Sequence, residues 1–255
     1  MAVLSRLATA LFLIAIPVLL VSSNIRFFAG EVRLYERGFR KYDAAETTQV
    51  SLPELDRAAG EIIDYFENDT ETLRIVVTRQ GEEVSLFNAR ETIHMKDVKW
   101  LMQIVFRVQE ISFAYVITYI ATVYLWSRER PLRGLAKQAL MGLGVGAAVV
   151  VGIGVPAVID FHATWDRFHM LVFRNNFWQL DPDRDRLIQM FPEPFWQESA
   201  YIITAMTVAE AAIIVILSVA YLVFSREPTS EERPRRSGAL GDVPTPPPPA
   251  GATGT

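Results

Sequence analysis

The feature that most constrains this chain is the grouping of its apolar residues. They fall into four blocks of roughly 20 residues, the length that crosses a ~30 Å hydrocarbon layer as a helix. The blocks run from about Leu7 to Ile25, Ile104 to Trp126, Ala139 to Ile159 and Tyr201 to Phe224. Lipid offers the backbone no hydrogen bonds, so each block must satisfy its own N–H and C=O groups by coiling. The expected fold class is a mainly α membrane protein: a four-transmembrane-helix bundle with a small α+β extracytoplasmic cap. The expected division is 1–25 first transmembrane helix, 26–103 cap, 104–126 second helix, 127–138 cytoplasmic loop and 139–159 third helix. A second extracytoplasmic segment over 160–200, the fourth helix over 201–224 and a disordered proline-rich cytoplasmic tail over 225–255 complete it.

Orientation follows from the short loops. Ser127 to Lys137 holds Arg128, Arg130, Arg133 and Lys137 against the single acid Glu129, a bias that marks the cytoplasmic side. Helix parity then puts both termini inside, in agreement with Arg6 and with Arg226, Arg233, Arg235 and Arg236. The first block also resembles a signal peptide, with Arg6 before it and Ser22-Ser23 near its end, but its length favours an uncleaved anchor. Beyond Phe224, the run Pro244 to Pro249, broken only by Thr245, cannot bury apolar area.

Both outer segments carry folding signals. Ser51 and Glu54 have capping-box spacing, with Pro53 early in the helix they open. Leu55, Ala58, Ala59, Ile62 and Phe66 then recur at helical spacing. Leu73 to Thr78 and Val84 to Phe87 read as a β-hairpin about a polar Arg-Gln-Gly-Glu-Glu turn. From about Thr92 the pattern is helical and runs unbroken into the second span. The second outer segment begins as a helix from Asp160 to about Phe173. It then turns near Asn175-Asn176, and a short helix capped by Asp181 with Pro182 behind it follows.

The net charge of −4 with no basic stripe argues against a nucleic-acid partner. The absence of cysteine excludes disulfides, thiolate metal sites and a cysteine nucleophile. There is no Gly-x-Ser-x-Gly for a serine hydrolase and no Walker loop. What remains for chemistry is three histidines, His94, His162 and His169, all in the outer segments close to membrane ends. Neutral imidazole moves protons near pH 7, and a pair at the water–lipid boundary suits headgroup chemistry. A single such histidine is more often an ordinary cap residue. Nearby aromatics such as Trp100, Trp165, Phe168, Phe173 and Trp178 could wall a pocket or simply form the interfacial belt of any membrane protein.

Three other readings stay open. His162, Asp166 and His169 share one helix face, as zinc ligands do, though a fourth ligand would have to come from afar. Asp181-x-Asp183-x-Asp185 starts like a calcium loop but has Arg186 at the glycine position. Arg107, Glu110 and Glu210 lie within spans, where charge is costly. They suit a transporter, or a structural ion pair joining the second and fourth helices, which is the favoured expectation. Gly142-x-x-x-Gly146 reads as a close-packing face. A non-catalytic envelope scaffold is the remaining class.

Two stretches also carry a resemblance. Phe87-Asn88-Ala89-Arg90-Glu91-Thr92-Ile93-His94-Met95-Lys96-Asp97-Val98-Lys99 is the first. Phe168-His169 with Trp178-Gln179-Leu180-Asp181-Pro182 and Leu187 to Glu193 is the second, and Leu34-Tyr35-Glu36 and Gly38-Phe39 fit upstream. Together they resemble the lipoprotein intramolecular transacylase family. The resemblance implies four membrane helices with an extracytoplasmic cap. It also implies transfer of the sn-2 acyl chain of a diacylglyceryl-cysteine lipoprotein onto its own α-amino group. The implied partners are the diacylated lipoprotein N-terminus and membrane lipid, with no cofactor and no metal. The family's two histidines fall on His94 and His169, with His169 the favoured base. Asp97, Trp100, Phe168, Trp178 and Glu193 are the candidate supporting residues. His162 has no counterpart.

Overall fold

The computed structural model describes residues 2–126 and 131–225. The proline-rich tail and the loop residues Arg128, Glu129 and Arg130 lie outside the described residues. Four long helices form the membrane part: α1 (Ala2–Gly30), α5 (Ala89–Trp126), α6 (Pro131–Ile159) and α9 (Glu193–Phe224). Each is long and apolar enough to cross a bilayer. Between α1 and α5 come α2 (Val32–Lys41), α3 (Ala44–Thr48), α4 (Leu52–Glu67), β1 (Val76–Arg79) and β2 (Glu82–Ser85). Between α6 and α9 come α7 (Phe161–Val172) and α8 (Arg186–Met190).

Helix α1 packs against α5, α6 and α9 alike, so it is the hub of the bundle. Glycines on α6 make one of these approaches possible. A Cβ on Gly142 would lie 2.7 Å from the Leu13 carbonyl oxygen, and one on Gly146 would lie 2.5 Å from Pro17 Cβ. Only hydrogen fits there, as in close helix pairs that associate by packing.

The intramembrane charges also run through α1. Arg26 bonds Glu110 at 3.0 Å and Gln109 at 3.1 Å, and Arg107 reaches the same Glu110 at 3.2 Å. Glu210 accepts instead from Asn24 at 2.8 Å. The expected ion pair between the second and fourth spans is therefore absent among the described residues. The carboxylates on α5 and α9 each find a donor on the hub helix between them.

The two outer segments fold together into one cap. Phe39, Leu55, Ala58, Ala59, Ile62, Tyr65, Ile75, Val77 and Leu86 from the first share a core with Leu187, Met190, Phe191 and Phe195 from the second. Gly38 lets α2 lie on the Phe195 ring, 2.6 Å from where a Cβ would be. The hairpin turns more tightly than the expected five residues: Arg79 already pairs with Glu82. Gln80 and Gly81 have φ of 53° and 87°, the left-handed pair of a two-residue turn matching strand twist.

The capping box at Ser51 does not form. The Ser51 side chain makes no cap bond, and Glu54 bonds Arg57 instead. Asp181 does not cap a helix either. It closes a turn with its backbone carbonyl accepting from Arg184 and Asp185, and α8 starts after Asp185. At ~1.5 Å per residue, the 38 residues of α5 span about 57 Å, far more than a ~30 Å layer. Its first turns therefore stand clear of the lipid, and they carry His94 and Asp97.

Candidate functional site: a buried histidine pair

Helix α5 begins with a capping box the sequence reading did not pick out. Asn88 Oδ1 accepts from the Arg90 and Glu91 N–H groups at 2.9 and 3.1 Å, and Glu91 Oε2 accepts from the Asn88 N–H at 2.7 Å. Glu91 is fully buried, and its other oxygen accepts from Leu187 N–H, in the first turn of α8, at 2.6 Å. Asn88 Nδ2 donates to Asp185, also fully buried, at 2.8 Å. Burial holds the Glu91 carboxyl above the usual range despite the two N–H bonds. Burial pushes Asp185 the same way, but bonds from Asp181 N–H, Asn88 and Arg184 more than offset it and leave it low. This box ties the start of α5 to the second outer segment.

One turn further on, His94 turns into the same interior. It is 7% exposed, and His169 from the last turn of α7 is 6% exposed. Their ring centroids lie 6.1 Å apart. Phe173 packs against both, at 5.2 Å from His94 and 5.5 Å from His169. The remaining walls around His169 are Trp165 at 4.5 Å, Trp178 at 4.9 Å and Phe168 at 5.3 Å.

The two rings differ in their hydrogen bonding. His169 Nδ1 lies 2.8 Å from the Trp165 carbonyl. A carbonyl only accepts, so Nδ1 carries the proton and Nε2 the lone pair. His94 Nδ1 is buried with no partner among the described residues. A bare acceptor costs less to bury than an orphaned N–H, which favours the tautomer with the proton on Nε2. Burial, with His169 adding to it, pushes the His94 pKa down to about 4. Burial also lowers His169, while the Trp165 carbonyl and Asp166 partly offset it. Both rings are therefore neutral at pH 7.

The supporting candidates separate. Trp178 lies on the His169 ring, and Phe168 meets its edge. Asp97 bonds Asn175 Nδ2 at 2.8 Å and not His94; it pins the loop that carries Trp178. Trp100 is 60% exposed and is not among the rings packed on either histidine. Glu193 bonds His162 Nδ1 at 2.7 Å. That contact raises the exposed His162, with Asp166 adding to it, and keeps it out of the buried pair. No three His, Cys, Asp or Glu side chains converge as metal ligands among the described residues. In particular, His169 Nδ1 is taken by a carbonyl. Asn88 and Glu91 stand in the sequence as part of the resembling stretch and Asp185 as part of the calcium-like run, but the sequence reading assigns none of them the positioning role they have here. The spacing of the first two before an apolar helix was the available signal.

The chain matches the sequence model of the family described as "Lipoprotein intramolecular transacylase Lit" over residues 10–196. No curated protein sequence matches it. Among solved structures, the membrane-integral lipoprotein intramolecular transacylase Lit of Bacillus cereus is similar at 20% identity and a TM-score of 0.72, covering 88% of this chain and 98% of that one. A histidine-to-alanine variant of that protein matches at 19% identity and a TM-score of 0.69, covering 88% and 95%. The fold is shared, and the family match spans most of the described residues. Four membrane helices, a two-stranded cap and this match lead to one conclusion: the chain belongs to the lipoprotein intramolecular transacylase family of membrane acyltransferases.

Proposed function

We propose that this protein moves the sn-2 acyl chain of a diacylglyceryl-cysteine lipoprotein onto that cysteine's α-amino group, with His169 as general base and His94 as hydrogen-bond donor. The observation that carries this reading is the buried pair itself. Two neutral rings from separate segments lie 6.1 Å apart, one with its Nε2 lone pair free for a proton, the other favouring an Nε2–H.

The reaction balances with these groups. The α-amine, whose ammonium form has an ordinary pKa of about 8, reacts as its free base: it attacks the sn-2 ester carbonyl while one of its N–H protons passes to His169 Nε2. The His94 N–H stabilises the oxyanion that forms. Collapse breaks the ester C–O bond, and the leaving sn-2 alkoxide takes the proton from His169. The products are an amide and a free sn-2 hydroxyl. Nucleophile and ester belong to one molecule, so a cavity that folds the substrate supplies much of the rate. The aromatic walls would keep water from intercepting the ester.

The cap then faces outward and both termini lie in the cytoplasm. Arg133 and Lys137 at the start of α6 support that orientation. Membrane lipid would supply the medium in which the substrate's chains stay buried. The transporter reading gains nothing from the structure, because Arg107, Glu110 and Glu210 are each bonded to a neighbour.

The test is mass spectrometry of a lipoprotein N-terminal peptide after co-expression in a host that makes no lyso form. The expected product is N-acyl, S-monoacylglyceryl peptide, lost with His169→Ala and strongly reduced with His94→Ala. Absence of product from membrane-inserted wild type would sink the reading. Full product from both variants would leave a scaffold with incidental histidines.

A further inference from the structure

The histidine pair is closed in this structure. With 7% and 6% of their surfaces exposed, His94 and His169 offer no face on which an ester and an amine could both sit. A lipopeptide reaches them only after part of the wall moves.

The wall has a fixed part and a lightly held part. Trp165 and Phe168 belong to α7, the helix that carries His169 itself, and Trp165 is stacked on Trp196 of α9 at 5.3 Å. Phe173 and Trp178 belong instead to the stretch between α7 and α8, which has no helix or strand over residues 173–185. Phe173 touches both rings, and Trp178 lies on His169.

This stretch turns one side to the site and the other to solvent. Arg174, Asn176 and Gln179 are exposed, Phe173 is buried, and Phe177 and Trp178 are half-buried. Its own hydrogen bonds are local and would travel with it. Asn175 Oδ1 accepts from the Phe177 N–H at 3.1 Å, the Asn176 carbonyl from the Gln179 N–H at 3.2 Å, and the Trp178 carbonyl from the Leu180 N–H at 2.9 Å. Beyond it, residues 181–185 are anchored, because Asp185 accepts from Asn88 and from the Asp181 N–H, each at 2.8 Å.

Among the described residues, the part over 174–180 hydrogen-bonds the rest of the protein at two points. Asp97 accepts from Asn175 Nδ2 at 2.8 Å. Arg90 donates to the Asn176 carbonyl at 2.5 Å, with its guanidinium 6.0 Å from the centre of the Phe177 ring. Arg90, His94 and Asp97 follow one another at helical spacing, so they share one face of α5. The segment is thus tied down on both sides of His94 by the helix face that presents it. So few ties to the rest of the fold mark a region that opens locally, far below the cost of global unfolding.

We propose that residues 173–180 form a gate that swings off the histidine pair to admit the substrate's ester and amine, and that Arg90 and Asp97 are positioning residues that draw it shut again. This rests on the transacylase reading above. Closure seals the ester from water and returns Phe173 and Trp178 to the rings.

The test locks the gate in a chain that has no cysteine of its own. Asp97→Cys and Asn175→Cys together replace both sides of one tie, and a one-carbon bis-methanethiosulfonate links them until a thiol reductant cuts it. The full chain in mild detergent is treated with diethyl pyrocarbonate, and each histidine is followed by peptide mass spectrometry. In the linked form His94 and His169 should react roughly tenfold or more slowly than in the reduced form, while the exposed His162 reacts equally in both. A link that only distorted the site would speed the two rings instead. Equal rates in the two forms, or faster ones in the linked form, overturn the gate. In the chain without cysteines, Asp97→Ala should speed labelling of both rings about threefold or more, and Asp97→Asn, which keeps an oxygen for Asn175, should return it to near the wild-type rate. Labelling of Asp97→Ala at the wild-type rate overturns the role of Asp97. Turnover of a diacylglyceryl lipopeptide should fall roughly tenfold or more on linking and return on reduction. Full turnover by the linked form overturns the gate and leaves the transacylase reading standing. Wild type inactive on the lipopeptide sinks that reading, and with it the gate's role in admitting this substrate.

Discussion

Lowering the pH should loosen the cap through His94, by an amount the structure sets. In the folded chain its pKa is depressed from the ordinary 6.5 to about 4 because the ring is buried. A depressed pKa stabilises the fold fully above pH 6.5, where the unfolded ring is also neutral. That contribution is lost as pH falls, because the unfolded chain takes up a proton the folded chain refuses. The loss ends near pH 4, where the folded ring accepts it too. At about 1.4 kcal/mol per pH unit, the window amounts to about 3 kcal/mol. His169 adds a loss of the same sign, and carboxylates elsewhere add a background. The comparison that isolates His94 is therefore wild type against His94→Phe, unfolded by denaturant in mild detergent at a series of pH values. The variant should be the less acid-sensitive, its stability falling about 3 kcal/mol less between pH 7 and pH 4. A wild-type-minus-variant difference that stays flat to within about 0.5 kcal/mol over that range would refute the buried, neutral state of this ring.

Three further outcomes are expected. The acid limb of kcat/KM should lie below pH 6.5, because burial lowers His169, and Trp178→Ala should move it upward by letting water reach the ring, as a pH–rate profile would show. Glu91→Ala orphans the buried Leu187 N–H, at about 1–3 kcal/mol, and the part-buried Asn88 N–H, at less, partly offset by no longer burying a carboxylate; denaturant titration should show about 1–3 kcal/mol lost. Gly142→Leu should cost at least about 1–3 kcal/mol by pushing into the Leu13 backbone, while Gly144→Ala should be nearly neutral, read out by thermal unfolding in one detergent.

The bundle and the hairpin were legible because hydropathy and turn residues act locally. The four spans follow from block length, and Gly142 and Gly146 from their spacing. The helix face of Leu55, Ala58, Ala59, Ile62 and Phe66 is buried as its period implies. The partners of polar groups were not legible, because they are chosen across the fold. Arg107 and Glu110 read as the arm of a bridge to Glu210, yet Arg26 and Asn24 on α1 intervene. Ser51 and Glu54 have capping-box spacing without the bonds, whereas Asn88 and Glu91 make them. The reason is burial: Glu91 is enclosed and must be satisfied where it sits, while the half-buried Glu54 can reach out to Arg57 instead. His94 and His169 could be singled out in sequence, but their approach depends on the shared cap core, and no local pattern encodes which outer residues meet.

The central place of α1 bears on how the protein is made. The hub is the first helix to leave the ribosome, and its polar groups wait for partners still untranslated. Arg26 precedes Glu110 by 84 residues, and Asn24 precedes Glu210 by 186. At roughly 5–20 residues per second these delays are about 4–17 s and about 9–37 s. During that interval a guanidinium and an amide sit near lipid without the carboxylates that later hold them. The nascent chain should therefore linger at the insertion machinery until α9 arrives, and replacing Asn24 or Arg26 with leucine should speed its release.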